Sequence, residues 1–159
     1  MKSSKVSNKP KQYIQGWVEF FKLRFKVTPD VLIPRPETEL LVDEVLNFLG
    51  NEVTASSAYT LYSKPFTLID LGTGSGNIAI SIAKNLPPTQ TIKIIATDVS
   101  TKALKVAVQN AKLHGVENKI TFIKSNLITN VPRSEDICVI VTNLPYIPSA
   151  RIPYLDSSV

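Results

Sequence analysis

The tetrapeptide Asn143-Leu144-Pro145-Tyr146 follows directly on an apolar run, Ile137–Thr142, and carries groups suited to holding a poorly nucleophilic nitrogen. The lone pair of an amide or aromatic amine nitrogen is delocalised, so attack on an electrophile depends on how the nitrogen is held. Two acceptors aimed at its N–H groups would favour the geometry with the lone pair pointing at the electrophile. The Asn143 side-chain oxygen can be one acceptor. The Leu144 carbonyl can be the other, and Pro145 restricts Leu144 to an extended conformation that would aim it. Tyr146 offers an aromatic face to a planar amide or base. The proton can leave after the new bond forms, so no strong base is required and positioning carries most of the acceleration. A methyl group on a positive sulfonium is an electrophile that fits this arrangement. The plainer alternative is an Asx-type turn closing a buried strand.

A second motif lies upstream, Asp70-Leu71-Gly72-Thr73-Gly74-Ser75-Gly76. Glycines between a strand and a helix permit a tight turn and close approach of a ligand to the backbone. The helix N-terminus behind them offers free N–H groups. The dinucleotide fingerprint G-x-G-x-x-G would need glycine where Asn77 stands, and the spacing here is G-x-G-x-G. Asp98 closes the next strand, where an acid can accept hydrogen bonds from ribose hydroxyls. Its alternative is a strand-end or helix-capping acid. The two features together suit an adenosine-containing ligand without a pyrophosphate.

These motifs need a scaffold, and the pattern from residue 65 onward supplies one. Phe66–Leu71, Ile92–Thr97, Ile120–Ile123 and Ile137–Thr142 read as strands. Helices are expected over Ser75–Asn85 and residues 101–114, the latter with Ala103, Leu104, Ala107, Val108 and Ala111 at helical spacing. Strands separated by single helices predict a parallel sheet with right-handed crossovers. Ligands bind at the carboxyl ends of such strands. With the first and fourth strands as neighbours, Asn143 stands beside the glycine loop. Upstream, residues 1–11 read as an adaptable lead-in. Residues 13–28 read as two short strands, Trp17–Phe21 and Leu23–Val27. Pro34 and Pro36 then set an extended path into a helix with Leu40, Leu41, Val45, Leu46, Phe48 and Leu49 on its apolar side and Gly50 near its end. Residues 51–64 read as a surface loop.

At 159 residues, 43% hydrophobic and 19% charged, the chain suits one folded domain. The net charge of +5 resides in residues 1–30, where Lys2, Lys5, Lys9, Lys11, Lys22, Arg24 and Lys26 face only Glu19 and Asp30. This segment either steers the protein to RNA or a ribosome or is a solvated lysine-rich tail. A single cysteine and a single histidine speak against a disulfide framework and a structural zinc site. Cys138 is expected to be buried in its apolar run, and His114 to close a helix. No apolar run approaches the ~18 residues of a membrane span. No secretory h-region opens the chain, so the expected compartment is the cytoplasm, with an organelle also open.

Four blocks give the chain a resemblance to the release factor glutamine methyltransferases (the HemK/PrmC family). They are Phe25–Glu39 with its core Ile33-Pro34-Arg35-Pro36-Glu37-Thr38-Glu39, then Asp70–Gly76, Ala96–Ser100 and Asn143–Tyr146. The similar stretch runs from about Pro10 to Pro148. The first block is the most specific, because it is not general to methyltransferases. The resemblance implies an α/β fold of the Rossmann-like class I type, an incomplete parallel sheet preceded by a β-hairpin. It divides the chain into a basic lead-in with hairpin, residues 1–30, and a methyltransferase domain, residues 31–159. It implies S-adenosyl-L-methionine as cofactor and, as substrate, the glutamine of the Gly-Gly-Gln motif of a peptide chain release factor, methylated on its amide nitrogen. Gly72, Thr73, Gly74, Ser75, Gly76, Asp98 and Asn143 would hold the cofactor, with Leu127 flanking its adenine. Asn143, Leu144, Pro145 and Tyr146 would grip the glutamine, with Asn143 and Tyr146 catalytic. Leu32 would wall the pocket, and Arg35 and Glu37 would help shape it.

The sequence departs from the family pattern in several places. Leu144 replaces the first proline of the usual Asn-Pro-Pro-Tyr, a change that keeps the backbone carbonyl. Asn126 stands where an acid is common. The family's N-terminal helical domain and the last three strands of its usual seven-stranded sheet have no counterpart here, so the fourth strand is expected to be an exposed apolar edge. Two other readings stay open: an adenine-N6 methyltransferase acting on ribosomal RNA or DNA, whose tetrad Asn-Leu-Pro-Tyr also resembles, and an inactive methyltransferase-like fragment.

Overall fold

The computed structural model describes residues 9–55, 66–87 and 92–144. A short helix, α1 (Lys11–Gln15), precedes the hairpin, bracketed by Pro10 and by Gly16 with φ 79°. Pattern reading had placed the end of the lead-in and the start of a strand there. Five residues are too few for an apolar period to show. Strands β1 (Trp17–Phe20) and β2 (Leu23–Lys26) pair antiparallel as expected. Phe21 and Lys22 turn the hairpin in the left-handed region, at φ 50° and 59°. The Glu39 carboxylate secures that turn by accepting from the Phe21 N–H at 2.9 Å.

A 3-10 turn, Pro36–Thr38, leads into α2 (Glu39–Ala55). The helix runs through Gly50, which does not adopt the left-handed cap conformation, and so continues into the region expected to be loop. Its buried stripe is Val42, Val45 and Leu49, while Leu40 and Phe48 are 67% and 43% exposed, a shift from the expected face. Phe48 instead sets its ring edge-on to Phe66, at 6.3 Å.

Strands β3 (Phe66–Leu71), β4 (Lys93–Asp98), β5 (Ile120–Lys124) and β6 (Ile137–Thr142) form one parallel sheet in the order β5-β4-β3-β6. Helices α3 (Asn77–Asn85) and α4 (Thr101–Leu113) make two of the crossovers. Ser100 caps α4 by accepting from the Ala103 N–H. His114 ends α4 as expected, with its ring 5.1 Å from Phe25 and Nε2 2.9 Å from the Arg24 carbonyl.

β3 is buried along its whole length, as a central parallel strand should be. β6 lies at the edge among the described residues and is only partly covered. Among the described residues Cys138 and Ile140 are exposed, which corrects the expectation of a packed cysteine. Among the described residues no helix is long and apolar enough to cross a membrane.

Phe20 and Phe25 of the hairpin share one core with Val42, Leu49, Leu68, Ile80 and Ile94. Asn110, inside α4 and 0% exposed, fastens this union. Its Oδ1 accepts from the Lys26 N–H at 2.7 Å, and its Nδ2 donates to the Lys26 carbonyl at 3.0 Å and the Ser75 carbonyl at 2.8 Å. One side chain thus ties the hairpin, α4 and the glycine loop. Asn110→Ala strands the buried Ser75 carbonyl and the half-buried Lys26 N–H and carbonyl, a buried group costing about 1–3 kcal/mol. Urea denaturation should show a loss of about 3 kcal/mol or more; a loss below ~0.5 kcal/mol, typical of surface sites, would contradict this role.

Candidate active site

The parallel register of β3 and β6 sets Leu71 opposite Thr142. Thr142 Oγ1 donates to the Leu71 carbonyl at 3.0 Å, so Gly72 and Asn143 leave neighbouring strand tips. On the other side Leu71 faces Thr97, which brings Asp98 to the same edge. A cavity of about 840 Å³ lies over these tips. That is within the ~300–1,000 Å³ of small-molecule sites. Gly72, Thr73, Gly74 and Ser75 line it, as do Asp98, Asn143 and Leu144. Leu32, Arg35 and Glu37 from the proline segment complete the wall.

The loop glycines do different work. Gly72 has φ +69°, and a Cβ there would stand 2.5 Å from Leu144 Cδ2, so the loop and the tetrad meet at this point. Gly74, at φ +55°, is set by its backbone: a Cβ there would make only ordinary contact, 3.9 Å from the Gly72 carbonyl oxygen. Gly76 does not line the cavity: a Cβ there would lie 2.8 Å from Ile80 Cδ1 and 3.2 Å from Ala107 Cβ. It lets α3 pack close to α4. Asn77 and Ile78, in the first turn of α3, line the cavity in its place.

Asp98 is anchored twice. Its Oδ2 accepts from the Gly74 N–H at 3.0 Å and its Oδ1 from the Ser100 N–H at 2.8 Å. A carboxylate offers about four lone-pair sites, so both oxygens keep capacity for a ligand hydroxyl. Asn143 Nδ2 donates to Thr38 Oγ1 at 2.9 Å. Leu127 is half exposed in a left-handed turn, φ 51°, and is not among the cavity-lining residues. Its turn follows Ser125, whose N–H donates to the Asp98 carbonyl. Pro145 and Tyr146 lie outside the described residues.

Three contributors have no role in the pattern reading, although Thr38 and Asp70 stand within its motifs. Tyr13 lines the cavity from α1, its hydroxyl donating to the Val31 carbonyl at 2.8 Å. Burial raises the Tyr13 pKa, opposed by the positive charge of Arg35. Thr38 holds Asn143 across 105 residues, a contact no local spacing encodes. The third is Asp70, 1% exposed beneath the loop. Its Oδ2 accepts from Thr73 Oγ1 at 2.6 Å and from the Ala79 N–H at 3.3 Å, which folds the loop back onto α3. Among the described residues no donor reaches its Oδ1. An acid before a glycine turn was the available signal.

Burial pushes the Asp70 carboxyl up to about 6 from the ordinary 3.8; the Thr73 and Ala79 hydrogen bonds oppose the rise and the Asp98 charge adds to it. An acid whose folded pKa lies above its unfolded one favours the fold while protonated. That contribution is full below pH ~4 and is lost as the pH climbs through ~6. Denaturation midpoints of the ligand-free chain should therefore carry a stability decline over this interval that Asp70→Asn removes. Identical pH profiles for the two proteins would contradict the assignment.

Residues 54–152 match the family model described as "Methyltransferase small domain". A curated protein of Moorella thermoacetica named "Release factor glutamine methyltransferase" is 39% identical over 150 residues, 94% of this chain and 48% of that protein. One of the same name from Flavobacterium psychrophilum is 44% identical over 139 residues, 87% of this chain and 44% of its own length. The chain spans about half the length of the curated relatives it matches. Among solved structures, the N-terminal domain of human METTL16 in complex with SAH shares the fold, with a TM-score of 0.55 at 19% identity over 81% of this chain and 49% of that one. The parallel sheet expected from the strand–helix alternation, and the Rossmann-like α/β fold that the resemblance implies, are the ones observed, and the chain belongs to the methyltransferase small domain family.

Proposed function

We propose that the chain binds S-adenosyl-L-methionine and transfers its methyl group to the side-chain amide nitrogen of the glutamine in a release factor's Gly-Gly-Gln motif. The observation that carries this reading is the convergence of Asp98, the glycine loop and Asn143 on one cavity at the tips of β4, β3 and β6. The relatives' names supply the substrate.

The residues present fit the cofactor. Asp98 suits ribose hydroxyls, and Gly74, on the cavity wall without a side chain, offers its backbone to a ligand. When bound, the cofactor supplies an electrophilic methyl on a sulfonium. The chain's own work is positioning. With its Nδ2 engaged by Thr38, Asn143 has its oxygen left to accept from a substrate N–H. Leu144 packs on Gly72 and closes the loop side of the tetrad. Leu32 gives the substrate end an apolar wall that helps exclude water. We further infer that Lys22, Arg24 and Lys26, exposed on the hairpin, are available to an anionic partner such as RNA.

Methyl transfer from labelled cofactor should mark release factor glutamine; label on ribosomal RNA alone would move the substrate to a base. Asn143→Ala should cut the transfer about 10²–10³-fold, as loss of one preorganised polar group does. A near-normal rate would sink the acceptor model. In calorimetry with S-adenosylhomocysteine, Asp98→Ala should weaken binding by about 1–3 kcal/mol. Unchanged affinity would place the ribose elsewhere.

A further inference from the structure

The hydrogen bond between Asn143 and Thr38 has a consequence for selectivity. The two ends of an asparagine amide have nearly the same shape, and only hydrogen bonding decides which faces a ligand. An oxygen facing the cavity selects a donor, such as the NH₂ of a carboxamide. An NH₂ facing the cavity selects an acceptor, such as a carboxylate. Thr38 Oγ1 takes the Asn143 Nδ2 donor at 2.9 Å.

Thr38 is well placed to hold that orientation. It is 6% exposed and is the last residue of the Pro36–Thr38 turn, with its N–H bonded to the Arg35 carbonyl at 3.0 Å. The next residue, Glu39, begins α2 and grips the Phe21 N–H of the hairpin. Thr38 is thus fixed by a turn on one side and by a helix pinned to the hairpin on the other. The backbone before Asn143 is anchored too, since Thr142 is bonded to Leu71.

We propose that Thr38 is a positioning residue that holds the Asn143 side chain at the cavity; with Thr38 Oγ1 accepting from Nδ2, the Asn143 oxygen is the end presented to the N–H groups of a carboxamide. This rests on the reading of Asn143 as the substrate's acceptor. Thr38 does not itself touch the reacting atoms; it acts through Asn143.

The test uses the full ¹⁵N-labelled chain. The Asn143 side-chain NH₂ signal, assigned by its loss in Asn143→Asp, should show one slowly exchanging proton. Thr38→Val should abolish that protection and Thr38→Ser should restore it, with the remaining backbone ¹⁵N signals in place in both as the control for folding. In methyl transfer to release factor, Thr38→Val should lower kcat about 10–100-fold, the scale of a small misplacement of a reacting partner, and Thr38→Ser should recover most of it. An unprotected Asn143 amide in the unsubstituted chain, or protection that survives Thr38→Val, overturns the proposal. So does lost protection with unchanged kcat. If the unsubstituted chain methylates no release factor, the substrate reading has failed; the affinity ratio of Gly-Gly-Gln to Gly-Gly-Glu peptides then decides the role of Thr38. A ratio that falls toward one in Thr38→Val supports it, and an unchanged ratio refutes it.

Discussion

The site depends first on the register between β3 and β6. Neighbouring parallel strands are held by evenly spaced backbone bonds, and a slip of one residue moves every side chain to the other face. In this register Leu71 pairs with Thr142 and the Asp70–Gly76 turn begins beside the Asn143 tetrad. A one-residue slip would carry Asn143 about 3.3 Å along the sheet and reverse its direction. The register is enforced by burial. β3 has no exposed face, and Val141 of β6 is 4% exposed within the same core. Hydrophobic packing therefore sets the geometry of a polar site.

Around that line the molecule is fastened by a few buried or half-buried polar side chains reaching far along the chain. Asn110 joins β2 to the glycine loop, Glu39 joins the hairpin turn to α2, and Thr38 joins the proline segment to β6. Buried polar groups are costly when unpaired, so such contacts specify one arrangement rather than merely add stability. Adjacent residues Thr38 and Glu39 reach in different directions, one to the tetrad and one to the hairpin. This gives a physical meaning to the Ile33–Glu39 segment: it couples the hairpin's position to the orientation of Asn143.

Much of this was legible in the sequence where the signal is local. The parallel strands followed from apolar runs separated by single helices, and Phe66–Leu71 and Ile137–Thr142 fell where expected. The glycine loop and Asp98 declared themselves by spacing, and their meeting with Asn143 followed from strand order. What stayed hidden was long-range or depended on context. Thr38, Asn110 and Tyr13 act through contacts that periodicity does not encode. Gly76 looked like a ligand glycine but serves the approach of α3 to α4. Cys138 is exposed rather than packed because β6, at the edge of the sheet among the described residues, is only partly covered. The face of α2 shifted because Val42, rather than Leu40, points into the core.

The central claim is that an adenosyl cofactor lies across the tips of β3 and β6 with its reactive end toward Asn143. A crystal structure of the chain with S-adenosylhomocysteine tests it most directly. The account predicts the ribose at Asp98 and the sulfur beside the Asn143 amide, with the Asp70–Gly76 turn beneath the ligand. Density for the ligand away from this turn, or an Asn143 side chain directed away from the sulfur, would contradict it.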